Sequence, residues 1–157
     1  MLAFHGWCVI RTSRETYMAA TIDNVDAVDD AVDIADHQLW ANFRTWMQDN
    51  ESPFLKWQLH EQLNNHRGML TFCGSRNHRA SILWDMLQWI TDNGVGSFDL
   101  VYVHDDEDSE TNTNYGRGNA DFTNVFRVHR ILNGTIDELE DPFFGSIVPT
   151  INPCDLA

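Results

Sequence analysis

Residues 105–110 read Asp-Asp-Glu-Asp-Ser-Glu, five carboxylates in six positions (Asp105, Asp106, Glu107, Asp108 and Glu110). Carboxylates at such density suit either a hard cation or a cationic partner. The spacing excludes the helix–loop–helix calcium motif. Counted from Asp106, position six is Thr111 where glycine is required, and position twelve is Arg117 where glutamate is required. Zinc is not indicated, because no Cys-x-x-Cys and no closely spaced histidine pair occurs. No glycine-rich phosphate loop follows a strand. Cys73 and His78 are near enough in sequence to be imagined as a nucleophile and its base. A buried strand cysteine, and a histidine that with Arg79 orders a helix start or reaches a partner, account for them better. His5 and Trp7 read as packing residues. What remains for the acidic run is a patch of negative charge aimed at a cationic surface, or a plain solvated loop, which is what blocks of like charge often are.

The elements that must position this run can be read from periodicity. Residues 98–104, Phe-Asp-Leu-Val-Tyr-Val-His, have the β-branched and aromatic composition of a buried strand that leads straight into the carboxylates. The run then lies beyond the strand, so its neutralisation is expected to spare the fold. Residues 4–12 form a first strand, apolar on both faces and therefore central in its sheet. Residues 13–21 are polar and read as loop. Asp23 or Asn24 can cap a helix over 24–40, whose stripe is Val25, Val28, Val32, Ala35 and Leu39. Asp26, Asp29, Asp30, Asp33 and Asp36 occupy its other faces, with no nearby lysine or arginine. An ordinary helix surface intersperses cations, since like charges three or four residues apart destabilise it.

Residues 41–53 carry Phe43, Trp46 and Met47 and then a polar loop ending at Pro53. Alternation of Leu55, Trp57 and Leu59 with Lys56, Gln58 and His60 predicts a half-exposed strand over 54–62. The Asn64–Gly68 turn returns it as a strand over 69–74. Ile82, Leu83, Met86, Leu87 and Ile90 mark a second helix over 79–92, stopped at Asn93-Gly94. Residues 109–121, rich in Ser, Thr, Asn and Gly, read as a mobile loop. Strands over 125–132 and 135–139 flank Asn133-Gly134, a strong two-residue hairpin turn. Residues 141–157 hold three prolines and read as an irregular tail. The predicted fold is α+β: an antiparallel sheet with two helices packed on one face, in ferredoxin-like βαββαβ order, plus a C-terminal β-hairpin.

Composition narrows the function. A length of 157 residues suits a single domain spanning 1–157, and 43% hydrophobic residues allow a sizeable core. The net charge of −14 comes from 24 Asp and Glu against 10 Lys and Arg. It argues against nucleic acid and against anionic membrane surfaces as direct partners, and for a basic partner steered in by the field of the protein. The N-terminus shows neither a basic leader nor a span long enough for a bilayer. Three widely spaced cysteines, Cys8, Cys73 and Cys154, fit free thiols in a reducing cytosol. No cofactor is indicated.

Several short motifs occur in one order along nearly the whole chain. They are Gly6-Trp7 with Ile10-Arg11, Gly74 with Asn77-His78-Arg79, and Tyr102 with Asp105-Asp106-Glu107-Asp108. They continue with Asn124 and Phe126-Arg127-Val128, then Asp141-Pro142-Phe143 with Pro149-Thr150-Ile151. Together they resemble immunity protein family 7 of bacterial polymorphic toxin and contact-dependent growth inhibition systems. The resemblance implies a cytosolic, non-enzymatic protein that binds and neutralises a cognate toxin C-terminal domain, often a nuclease. The charge agrees independently: nuclease clefts are basic, and carboxylates can occupy the places of phosphates. The expected toxin-binding residues are Tyr102, His104, Asp105, Asp106, Glu107, Asp108, Glu110 and Tyr115, with Asp30 and Asp33 contributing long-range attraction. The rival reading is a small α+β enzyme or a ligand-binding regulatory module, which would need a pocket with convergent polar groups.

Overall fold

In the computed structural model, residues 1–13, 15, 25–63, 67–77, 81–108, 123 and 125–141 are described. Six strands form one antiparallel sheet: β1 (Leu2–Ile10), β2 (Leu55–Leu63), β3 (Arg67–Arg76), β4 (Phe98–Asp105), β5 (Arg127–Leu132) and β6 (Thr135–Glu140). Their spatial order is β2-β3-β1-β4-β5-β6. Helix α1 (Val25–Asp49) connects β1 to β2, and helix α2 (Ile82–Asn93) connects β3 to β4. The first strand is central, as its two apolar faces predict. It pairs with β3 through Cys8↔Leu70 and with β4 through Phe4↔Val103.

One face of the sheet is covered by both helices. Leu2, Phe4, Cys8 and Ile10, alternate residues of β1, join Leu70, Phe72, Val101, Val103 and Ile131 in a buried cluster. Leu39, Trp40, Phe43 and Met47 of α1 and Leu83, Met86, Leu87 and Ile90 of α2 close it. The helices also touch each other, with Phe43 5.5 Å and Trp46 6.1 Å from Trp89 between ring centres. Trp40 is fully buried and its indole N–H donates to the carbonyl of Ile10 at 2.9 Å. Gly68 makes room for it: a methyl group there would overlap the indole ring.

Helix α1 continues nine residues beyond the predicted end at 40. The apolar spacing continues through Phe43 and Met47, both buried, and no Gly or Pro interrupts the chain before Pro53. The turn at Asn133-Gly134 is as predicted, with both residues at positive φ (53° and 70°), the geometry of a type I′ hairpin. The Asn93-Gly94 stop also holds: the N–H of Gly94 donates to the carbonyl of Ile90 at 2.8 Å. The predicted helix cap at Asp23 or Asn24, the 109–121 loop and the tail beyond 141 lie outside the described residues.

Candidate functional site

The acidic run is divided between interior and surface. Asp105 closes β4 opposite Leu2 and is buried, on the helix-covered face with Val101 and Val103. Its Oδ1 accepts the N–H of Glu107 at 3.0 Å, and its carbonyl accepts the N–H of Asp108 at 3.2 Å. A tight turn results, and it returns Asp108 to the interior. There the Asp108 carboxylate pairs with Arg127, the first residue of β5, whose Nη1 also lies 2.6 Å from Oε1 of Glu138 on β6. Asp106 stays exposed, pairs with the N-terminal ammonium of Met1, and donates its N–H to the Met1 carbonyl at 3.2 Å. Glu107 is half-buried.

Of the residues expected to face a toxin, therefore, Asp105 and Asp108 are turned inward. The expectation that neutralising the whole run spares the fold is corrected with them. A cation beside it makes a buried, charged carboxylate tolerable, and the sheet brings Arg127 alongside Asp108. His104 is also buried, with Nε2 3.2 Å from the carbonyl of Thr123 and its ring 5.8 Å from that of Phe126. Burial holds its imidazole below the usual histidine range. Tyr102 is half-buried on the opposite, helix-free face, stacked on His5 at 5.2 Å and 7°. Glu110 and Tyr115 lie outside the described residues.

Helix α1 presents the second acidic surface. Asp26, Asp29, Asp30 and Asp33 are exposed, and Ile34 beside them is 72% exposed, an apolar centre that periodicity alone did not mark. Asp36 departs from its predicted solvent position. It is buried, accepts the Thr12 N–H at 2.6 Å and the Thr12 hydroxyl at 2.7 Å, and lies 3.7 Å from Nε of Arg11. The signal was present in the spacing: Asp36 is four residues from both Val32 and Trp40, on the stripe that faces the sheet.

A third feature was not foreseen. Alternate residues of β1 face away from the helices, and His5 and Trp7 among them line an open groove of about 510 Å³. Its walls include Lys56, Gln58, Thr71, Cys73, Leu100 and Tyr102. Trp7 is 37% exposed and packs edge-on against Phe98 at 6.0 Å. Cys73 is exposed rather than buried, and His78, the base imagined for it, lies outside the described residues.

One carboxyl has an acid–base signature without a site around it. Burial pushes Asp99 up to about 7, against the lowering effect of the Ile131 N–H that its Oδ1 accepts. It sits in the core opposite Cys8, whose thiol burial also raises. Shifted groups mark active sites only where substrate can reach them, and Asp99 is 3% exposed. Among the described residues no group of three or more His, Cys, Asp or Glu side chains is placed to hold a metal, and no helix is long and apolar enough to cross a membrane.

No curated protein and no solved structure matches. A family model described as Immunity protein 7 matches residues 1–153, the stretch that contains every motif of the resemblance and both acidic surfaces. The chain belongs to the immunity protein 7 family.

Proposed function

We propose that this protein neutralises a cognate nuclease toxin domain by forming a tight complex with it in the cytosol, and that it catalyses no reaction itself. Family membership supplies the immunity role against a toxin. The observation that carries the choice of a nuclease is the charge, −14 overall, with Asp26, Asp29, Asp30 and Asp33 side by side on the outer face of α1. A domain that grips a polyanion carries a basic cleft, and this face offers negative charge held close to a regular backbone.

The contact residues follow from exposure. Asp106 and Glu107 reach solvent just beyond β4, Tyr102 does so on the helix-free face, and Asp30 and Asp33 do so on α1. Asp105, Asp108 and His104 serve the complex by holding the 104–108 segment in shape. Exposed charge pairs contribute about 0–1 kcal/mol each, whereas apolar and aromatic anchors contribute more. Ile34 therefore makes α1 a contact surface as well as a source of attraction. The ferredoxin-like description of the first six elements is supported by the spatial order β2-β3-β1-β4 within the sheet.

Co-expression with the toxin domain encoded in the adjacent reading frame tests the reading. A stoichiometric complex that survives purification, growth rescue, and loss of the toxin's nuclease activity are the expected results. Absence of a complex overturns it. So does turnover of any substrate by the isolated protein that vanishes on Cys73→Ala.

A further inference from the structure

The helix-free face of the sheet is unlike the rest of this surface. An antiparallel sheet covered on one side ordinarily turns polar residues to water on the other. Here the middle of that side holds His5, Trp7, Leu100 and Tyr102. The rings are already ordered against one another, His5 on Tyr102 and Trp7 against Phe98. Rigid aromatic side chains lose little conformational freedom on binding, which is why Trp and Tyr dominate interface anchors.

The charge of the groove is also reversed relative to the chain. Lys56 is the sole lysine among 157 residues, in a protein with 24 carboxylates. It is exposed on the groove wall, and among the described residues no carboxylate pairs with it. The register places it in one transverse row with Cys73, His5 and Tyr102, through Lys56↔Cys73, His5↔Cys73 and His5↔Tyr102. An unpaired ammonium beside an aromatic platform fits a carboxylate that follows a bulky apolar side chain.

We propose that this groove is a second contact surface for the toxin domain, and that it receives a toxin loop presenting a bulky apolar side chain next to a carboxylate. The proposal rests on the immunity reading and adds to it an anchor on the face opposite the helices. The acidic surfaces attract the basic body of the toxin; the groove holds one of its loops. A volume of about 510 Å³ lies within the size range of sites that bury a few side chains or a small ligand.

Cys73 reports on the groove directly, because it lines the wall and is exposed while Cys8 is buried. The full chain carrying Cys154→Ser is alkylated with maleimide, alone and with a saturating amount of the toxin domain from the adjacent reading frame. Affinities are measured in parallel for Trp7→Ala, Tyr102→Ala, Lys56→Glu and Lys56→Arg, with thermal melts as the control for folding. Expected are alkylation slowed about 10-fold or more by the toxin, and dissociation constants raised about 30-fold or more by Trp7→Ala and Tyr102→Ala. Lys56→Glu should raise the constant about 10-fold, and Lys56→Arg should restore it. If the wild-type chain does not bind the toxin, the immunity reading falls and this proposal with it. If it binds while Cys73 stays fully reactive, the groove proposal alone is overturned. Cys73 protection that grows with concentration of the protein alone assigns the face to a second copy of the chain and likewise overturns it. Should Trp7→Ala fail to fold, Cys73 protection and the Lys56 pair decide.

Discussion

Arg127 and Asp108 face each other in an ion pair from which water is shut out, their side chains 1% and 0% exposed. Asp108 ends the turn that follows β4 and Arg127 begins β5, so the pair joins the acidic segment to the sheet. Glu138 on β6 reaches the same guanidinium, and His129 on β5 packs its ring 4.7 Å from that of Trp84 on α2. One of the carboxylates expected to face a partner is thus part of the interior.

Removing one member of this pair should destabilise the fold. Asp108→Ala leaves the Arg127 charge buried with Glu138 as its remaining acidic partner among those named, at a cost of about 3 kcal/mol. Asp106→Ala, at an exposed site, should change stability by no more than about 0.5 kcal/mol. Urea unfolding of the two variants checks this, and equal effects would show that Asp108 is as solvated as Asp106.

Asp99 should make stability depend on pH in an unusual direction. Its carboxyl is raised from 3.8 to about 7 in the folded protein, so the folded state holds the proton more tightly than the unfolded chain. The resulting stability is fully present below the ordinary value near 3.8. It declines by up to about 1.4 kcal/mol per pH unit across the window to 7, and is lost above it. Asp99→Asn keeps an oxygen for the Ile131 N–H and cannot ionise. The stability of wild type minus that of Asp99→Asn should therefore fall between pH 4 and pH 7, measured by denaturant titration at each pH. A flat difference would mean that Asp99 is ionised throughout.

Charge on α1 and its apolar centre should separate kinetically. Asp30→Asn with Asp33→Asn should slow association with the toxin several-fold at low salt, with the effect fading at 0.5 M salt as screening shortens to a few ångströms. Ile34→Ala should leave association unchanged and raise the dissociation rate. Surface plasmon resonance at two salt concentrations distinguishes them. Dissociation unaffected by Ile34→Ala would remove α1 from the contact and leave it only a steering role.

Gly68→Ala should displace Trp40. The added methyl overlaps the indole ring, which is fully buried and hydrogen-bonded to Ile10, so the strain falls on the centre of the core. A loss of about 1–3 kcal/mol is expected, together with a shift of tryptophan fluorescence. A variant as stable as wild type would show that α1 can move away from β3 freely.

What was legible in the chain was local in origin. Two-residue and 3.6-residue periodicity marked six strands and two helices, and Asn133-Gly134 marked its hairpin, because side-chain spacing and turn chemistry depend only on neighbours. The boundaries slipped where a pattern continued across an assumed loop, as in α1 beyond residue 40. The ordered motifs pointed to the immunity protein 7 family, and a simple count gave the charge. What only the tertiary structure decided was which charges are spent inside. Asp36 meets Thr12 across 24 residues, and Asp99 meets Ile131 across 32. Asp108 finds Arg127 only because β5 lies beside β4. These partners are set by strand register and by the side of the sheet the helices cover. The same assembly that buries them leaves His5, Trp7 and Tyr102 together on the open face, a surface made from β1 and β4, which are far apart in sequence and adjacent in the sheet.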